Sequence, residues 1–268
     1  MLITVGDVDL AVERHGTGDP FVLLHGFTGA ASDWAGVVDQ LATLREVITV
    51  EHRGHGDSTN TGDAATYTFD QLVRDFAGVA DALALERFDL LGHSMGGIVA
   101  MRYALGHQER LRSLVLMDTG AAASPEGPSH AFMRAGFDLA RQGGMDAVYE
   151  TIARFMGEGE EGDRARADLK DKYGRMDPVA FTTLGEELLV HPSVLDRLAG
   201  LRVPTTVLVG EADQGLRPEA DALAATIPGA VLVVIPDAAH SPQVENREAW
   251  LEAVIAHLHR TADGAAGI

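Results

Sequence analysis

The stretch Gly92-His93-Ser94-Met95-Gly96 constrains this chain more than any other, because of what flanks it. An apolar run, Phe88-Asp89-Leu90-Leu91, precedes it, and a helical pattern, Gly97-Ile98-Val99-Ala100-Met101, follows. A serine in a sharp strand-to-helix turn is exposed and rigidly held, two of the three conditions under which a hydroxyl of ordinary high pKa attacks a carbonyl. Glycines are needed around it, since side chains there would collide with the neighbouring strand and helix. The helix starting near Met95 aims unpaired backbone N–H groups at the space in front of Ser94, where an oxyanion can sit. G-x-S-x-G alone is a weak pattern in a chain with 30 glycines; the strand before it and the helix after it give it weight.

The surrounding chain reads as a parallel sheet with crossover helices, short apolar runs alternating with helical patterns from Phe21 to Met117. Strands are expected at Leu2-Val5, Leu10-Arg14, Phe21-Leu24, Glu46-Val50, Phe88-Leu91 and Ser113-Met117, with helices near Asp33-Leu44, Phe69-Leu85 and Met95-Leu105. Two further strands, Thr205-Val209 and Ala230-Ile235, follow a long gap. The gap, about Gly120 to Leu201, carries amphipathic stretches and no strand signal. That is too long for a loop, so an inserted helical cap is expected. Within it, Asp177-Pro178 reads as an N-cap with proline in the first helical turn, and Glu158 to Asp163 as a solvated connection. The expected organisation is an α/β core at 1–119 and 202–262, a cap at 120–201 and a disordered tail at 263–268.

A serine nucleophile needs an imidazole to take its proton and a carboxylate to hold that imidazole. In α/β sheets ligands gather at the carboxyl ends of the strands. Asp213 follows Thr205-Val209, and His240 follows Ala230-Ile235. Asp118, which ends the Ser113-Met117 strand, is the rival acid. In the order Ser94, Asp213, His240, with the elbow around the serine, the chain resembles the α/β-hydrolase family over nearly its whole length. The resemblance implies a mostly parallel eight-stranded sheet flanked by helices, with a helical cap. It also implies an oxyanion hole from the backbone N–H groups of Phe27, in His25-Gly26-Phe27, and Met95. The segment Arg53-Gly54-His55-Gly56-Asp57-Ser58 is similar to the family's R-G-x-G-x-S turn, which is structural there. Two positions depart from the family pattern: Glu51 stands where aspartate is usual, and Ala239 where glycine often precedes the histidine.

Composition narrows the rest. The 40 acidic against 21 basic residues give a net charge of -19, which argues against nucleic acid or an anionic membrane as partner. Cysteine is absent, which removes disulfides and thiol catalysis, and no apolar run approaches the ~20 residues of a membrane span, so a cytoplasmic protein is expected. The pairs His52-x-x-His55 and His257-x-His259 lack a third ligand at suitable spacing, and no nucleotide-binding glycine motif is present, so no metal and no cofactor are expected. The expected activity is hydrolysis of a small carboxylic ester or lactone through an acyl-enzyme on Ser94. Two alternatives are a carbon-carbon bond hydrolase or lyase, like the meta-cleavage hydrolases or the menaquinone-pathway synthase, and a receptor-like homologue that binds without turnover. Ile98 stands where that synthase usually carries arginine. Trp34, Phe132, Phe137, Phe155 and Leu216 are the candidates for lining the substrate pocket, and oligomeric state is left open.

Overall fold

The computed structural model describes residues 1–124 and 126–264. Among them, eight strands form one sheet: β1 (Leu2–Val5), β2 (Val8–His15), β3 (Pro20–Leu24), β4 (Glu46–Val50), β5 (Phe88–His93), β6 (Leu111–Met117), β7 (Thr205–Gly210) and β8 (Val231–Ile235). Their spatial order is β1-β2-β4-β3-β5-β6-β7-β8. β2 runs antiparallel to β1 and β4, and every other pairing is parallel. β5 and β7 are buried at every position because helices cover both faces, which is why these strands read as unbroken apolar runs.

The helices are α1 (Val38–Leu41), α2 (Phe69–Ala82), α3 (Met95–His107), α4 (Pro128–Ala153), α5 (Glu160–Gly174), α6 (Pro178–Leu188), α7 (Leu195–Leu198), α8 (Arg217–Thr226), α9 (Pro242–Glu245) and α10 (Arg247–Gly264). α2, α3 and α8 cover one face, packing Phe69, Phe76, Val99 and Leu223 against Val22 and Leu114. α1 and α10 cover the other, where Trp34 and Trp250 meet Phe21, Leu23, Leu91 and Met117. No helix among the described residues is long and apolar enough to cross a membrane.

The helix expected over Asp33-Leu44 is broken. A 3₁₀ turn, Ala31–Trp34, is followed by the four-residue α1. Gly36 lies between them against the Arg247 guanidinium, 2.7 Å from where a Cβ would stand, and the Trp34 ring turns inward to lie 6.3 Å from Trp250. Tertiary packing overrides the helical pattern there. The expected connection Glu158 to Asp163 is also shorter: α5 starts at Glu160, Asp163 N–H donates to Gly159 O, and its carboxylate pairs with Arg166. Acidic side chains favour a helix N-terminus.

Between β6 and β7 the chain leaves the sheet through α4 to α7. α4, α5 and α6 close around their own apolar cluster, which includes Phe137, Met145, Val148, Tyr173 and Phe181. Asp177 fastens this insertion to the loop after β4. As N-cap of α6 it accepts the Val179 N–H at 2.8 Å, and it also accepts the Gly62 N–H at 2.8 Å and the Tyr67 hydroxyl at 2.6 Å. At the other end of the chain, Asp263 and Gly264 continue α10, while residues 265–268 of the expected tail lie outside the described residues.

Candidate active site

β5 delivers Ser94 into a turn that only small neighbours permit. Ser94 has φ +51° and ψ -115°, a strained backbone for a residue with a side chain, costing about 1–3 kcal/mol unless its surroundings hold it. They do: its N–H donates to Met117 O at 2.9 Å, and its carbonyl accepts from Gly97 N–H and the Thr119 hydroxyl. A Cβ on Gly92 would stand 2.3 Å from Gly96 O, and one on Gly96 would stand 2.4 Å from Leu24 O. Close approach of backbone to backbone therefore demands both glycines, as the sequence implied.

The loops after β7 and β8 bring Asp213 and His240 to this serine. His240 Nε2 lies 3.1 Å from Ser94 Oγ, and His240 Nδ1 lies 2.6 Å from Asp213 Oδ2. Asp213 is fixed in turn by Leu216 N–H, which donates to its Oδ1 at 3.3 Å. Burial disfavours the charged imidazolium of His240, but the hydrogen bond and charge of Asp213 outweigh burial, and the His240 pKa lies above its ordinary value. Burial works against the Asp213 carboxylate too, yet the bond and charge of His240 hold its pKa below the usual carboxylate range.

Phe27 lines the same cavity as Ser94, Met95 follows Ser94 in the chain, and no hydrogen bond among the described residues engages either backbone N–H. Both can therefore turn toward an anionic oxygen. Around Phe27 the loop is fastened from several directions. His55 Nε2–H donates to Phe27 O at 2.5 Å, the Phe27 ring stacks on Phe181 of α6 at 5.2 Å, and Lys172 of α5 pairs with Asp33 at the loop's end. Glu51 bridges the same region by accepting from Ala31 N–H at 3.0 Å and Asp57 N–H at 2.7 Å, so glutamate fills the place that aspartate usually takes.

Ser94 and His240 open on a cavity of about 770 Å³ between the sheet edge and the inserted helices. Its apolar wall includes Phe27, Ile98, Met133, Leu169, Leu188 and Leu216, with Leu189 beside them, and its charged lining is Asp33, Asp118, Lys172, Asp213 and Glu219. Of the five residues expected to line it, only Leu216 does. Phe132 and Phe155 point into solvent, 69% and 85% exposed; Phe137 is spent inside the α4–α6 cluster; and Trp34 is buried beneath the sheet edge with its ring 6.5 Å from His93. One residue beside Ser94 had no signal in the sequence. His93, the variable position of the elbow, donates from Nε2 to His240 O at 2.7 Å; burial, with His240 nearby, drops its pKa to about 3, so it stays neutral. Asp118, weighed from the sequence as the rival acid, is buried beside Asp213, and Asp213 is the carboxylate bonded to His240. Together Asp118, Asp213 and His240 offer ligand atoms within 4.8 Å of one another, but both His240 nitrogens face partners in the Ser94-Asp213 chain.

A model of the alpha/beta hydrolase fold family matches residues 19–247. A pimeloyl-[acyl-carrier protein] methyl ester esterase of Aeromonas hydrophila is 31% identical over 261 residues, 94% of this chain and 99% of its own. A thermophilic esterase from Thermogutta terrifontis superposes with a TM-score of 0.82 at 30% identity, covering 97% of this chain and 99% of that one. The enol-lactonase from Burkholderia xenovorans LB400 superposes with the same TM-score at 25% identity, over 97% and 100% of the two chains.

Proposed function

This chain belongs to the α/β-hydrolase-fold family, and we propose that within it the protein is a serine hydrolase of small carboxylic esters or lactones. The observation that carries this reading is the unbroken hydrogen-bond chain Ser94-His240-Asp213 at the mouth of the cavity. His240 Nε2 takes the Ser94 proton as Oγ attacks the carbonyl carbon, and the Phe27 and Met95 N–H groups receive the oxyanion. Collapse of the tetrahedral adduct breaks the bond to the leaving oxygen, which His240 protonates, and an acyl-enzyme remains on Ser94. Water then repeats the sequence with His240 as base, releasing the acid and restoring the serine. Asp213 holds the tautomer and steadies the imidazolium throughout. Residues 120–201 act as a lid over a core of 1–119 and 202–262, a division supported by the separate apolar cluster of α4 to α6.

The cavity's charge favours esters without a carboxylate over the acidic substrates of carbon-carbon bond cleavage. Among the described residues Lys172 is its one lysine or arginine, already paired with Asp33 and Asp168, beside three other carboxyl groups, Asp118, Asp213 and Glu219. A panel of p-nitrophenyl esters from acetate to decanoate, with small lactones, tests the proposal. Wild type turns over short or medium esters, and Ser94→Ala loses turnover by at least ~1000-fold. Equal rates for wild type, Ser94→Ala and buffer would sink it, as would far better turnover of an acidic diketone.

A further inference from the structure

Asp118 is placed with more care than a strand-end aspartate requires. It ends β6 with φ +43°, 1% exposed, and its backbone N–H donates to Leu208 O at 3.0 Å. Its Oδ1 accepts the Gly210 N–H at 2.9 Å, while Oδ2 is buried and accepts from nothing among the described residues. A buried acceptor without a donor costs about 1–3 kcal/mol, and a strained backbone adds to that. Both costs are met at one spot, where Asp118 lines the cavity within reach of Asp213 and His240. Two carboxylates this close in a buried site do not both keep their charge, so one holds a proton. Burial, with Asp213 beside it, raises Asp118 to about 7. The Asp118 oxygen without a partner then becomes an O–H, and Asp213 is the acceptor at hand. The other titratable groups lining this end of the cavity are His240 after β8, His93 at the end of β5 and Glu219 on α8.

Resting on the serine-hydrolase reading above, we infer that Asp118 is a positioning residue: its carboxyl shares a proton with Asp213, and it replaces Asp213 as the partner of His240 when that carboxylate is lost. In the intact site the proton stays on Asp118, donated to Asp213, and the charge stays on Asp213 facing the imidazole. Removing the Asp213 charge lets Asp118 ionise and accept the His240 Nδ1–H after a modest rotation. Both carboxyls are thus part of one device reaching the histidine from two adjacent strands.

The test compares wild type with Asp118→Asn, Asp213→Asn, the double variant and Ser94→Ala on the best ester of the panel. Asparagine tolerates positive φ and keeps the acceptor for Gly210 N–H. Asp213→Asn is expected to lose about 10- to 100-fold in kcat/KM, against the ~10⁴-fold drop in kcat when the carboxylate of such a triad has no substitute. Adding Asp118→Asn in that background is expected to cost at least tenfold more than the same change costs in wild type. A structural role gives equal factors in both backgrounds, and that equality overturns the inference, as does an Asp213→Asn variant already as inactive as Ser94→Ala. Infrared difference spectra between pH 6 and pH 8 read the proton without needing the double variant to fold. A protonated-carboxyl band that disappears by pH 8 and is missing from Asp118→Asn supports the shared proton, and its absence from wild type overturns it. Should Ser94→Ala turn over like wild type, the serine reading itself fails; should it be inactive while the synergy is absent, only the inference fails.

Discussion

Replacing Phe181 by alanine separates two jobs proposed for the inserted helices, roofing the cavity and bracing the proposed oxyanion loop. The Phe181 ring is 5% exposed, stacked on Phe27 at 5.2 Å and 14° and packed edge-on against Phe137 at 5.6 Å. The tip of the Phe27 ring also lies against Gly185, one turn further along α6, where a Cβ would meet it at 2.8 Å. Truncating a buried phenylalanine costs about 3–5 kcal/mol, here taken from the α4–α6 cluster. The vacated space also lets the Phe27 ring, and with it the Phe27 N–H, relax away from the oxyanion position. Complete loss of one oxyanion donor is worth about 10²–10³ in kcat, which bounds the effect from above. The Phe27 carbonyl stays tied to His55, so displacement is partial, and about a tenfold fall in kcat, ~1.4 kcal/mol, is expected. Phe137→Ala is the control, since it removes a ring from the same cluster without removing the stack on Phe27. Both variants should melt at lower temperature by similar amounts, but only Phe181→Ala should lose kcat, and Phe181→Leu should restore much of it. Ester hydrolysis measured well below either melting temperature decides the matter: wild-type kcat in Phe181→Ala, or equal losses in the two variants, refutes the bracing argument.

Acid should inhibit the enzyme through His240, because the base must be neutral and its pKa lies above 6.5; a pH–kcat/KM profile whose acid limb is centred well below 6.5 contradicts the Asp213 pairing. The fold should also weaken in acid. Burial first, with neighbouring positive groups, drops His52, His93 and His257 to about 3, so from the ordinary 6.5 downward the unfolded chain binds protons that the folded chain refuses. At pH 5 each of the three removes about 2 kcal/mol, and melting temperatures that stay flat from pH 7 to pH 5 would show that they are not buried neutral. Gly96→Ala should destabilise the chain by about 1–3 kcal/mol or more and abolish turnover, since its methyl would stand 2.4 Å from Leu24 O and 2.6 Å from His25 O; unchanged melting and activity would mean that the elbow is not this tight.

The sheet was legible in the sequence because its strands are short, apolar and closed by glycines, prolines or charged residues, and their positions match the eight runs to within a few residues. Ser94, Asp213 and His240 were legible for a related reason: each stands just beyond a strand's carboxyl end, so locating the strand locates the residue. What escaped depends on partners far along the chain. His93 occupies the unspecified position of the elbow, and its bond to the His240 carbonyl spans 147 residues. The break at Gly36 is set by Arg247 and Trp250, again on a distant element.

The lid shows why the pocket wall in particular was not legible. Its helices face solvent, the sheet core and the cavity at once, so a single helix carries more than one buried stripe, and a 3.6-residue period reports that some face is buried without saying which. Size then misleads. The buried rings of the inserted helices, Phe137, Tyr173 and Phe181, fill an internal cluster rather than the cavity, while Phe132 and Phe155 face solvent. The cavity wall falls to flexible or aliphatic residues such as Met133, Leu169, Leu188 and Leu189. Of the inserted helices' rings, Phe181 reaches the site through its stack on Phe27, which itself lines the cavity. Under the proposed function, the inserted sequence therefore bears on this site in two separable ways: aliphatic positions set the room available to an acyl group, and aromatic positions set how firmly the Phe27 loop is held.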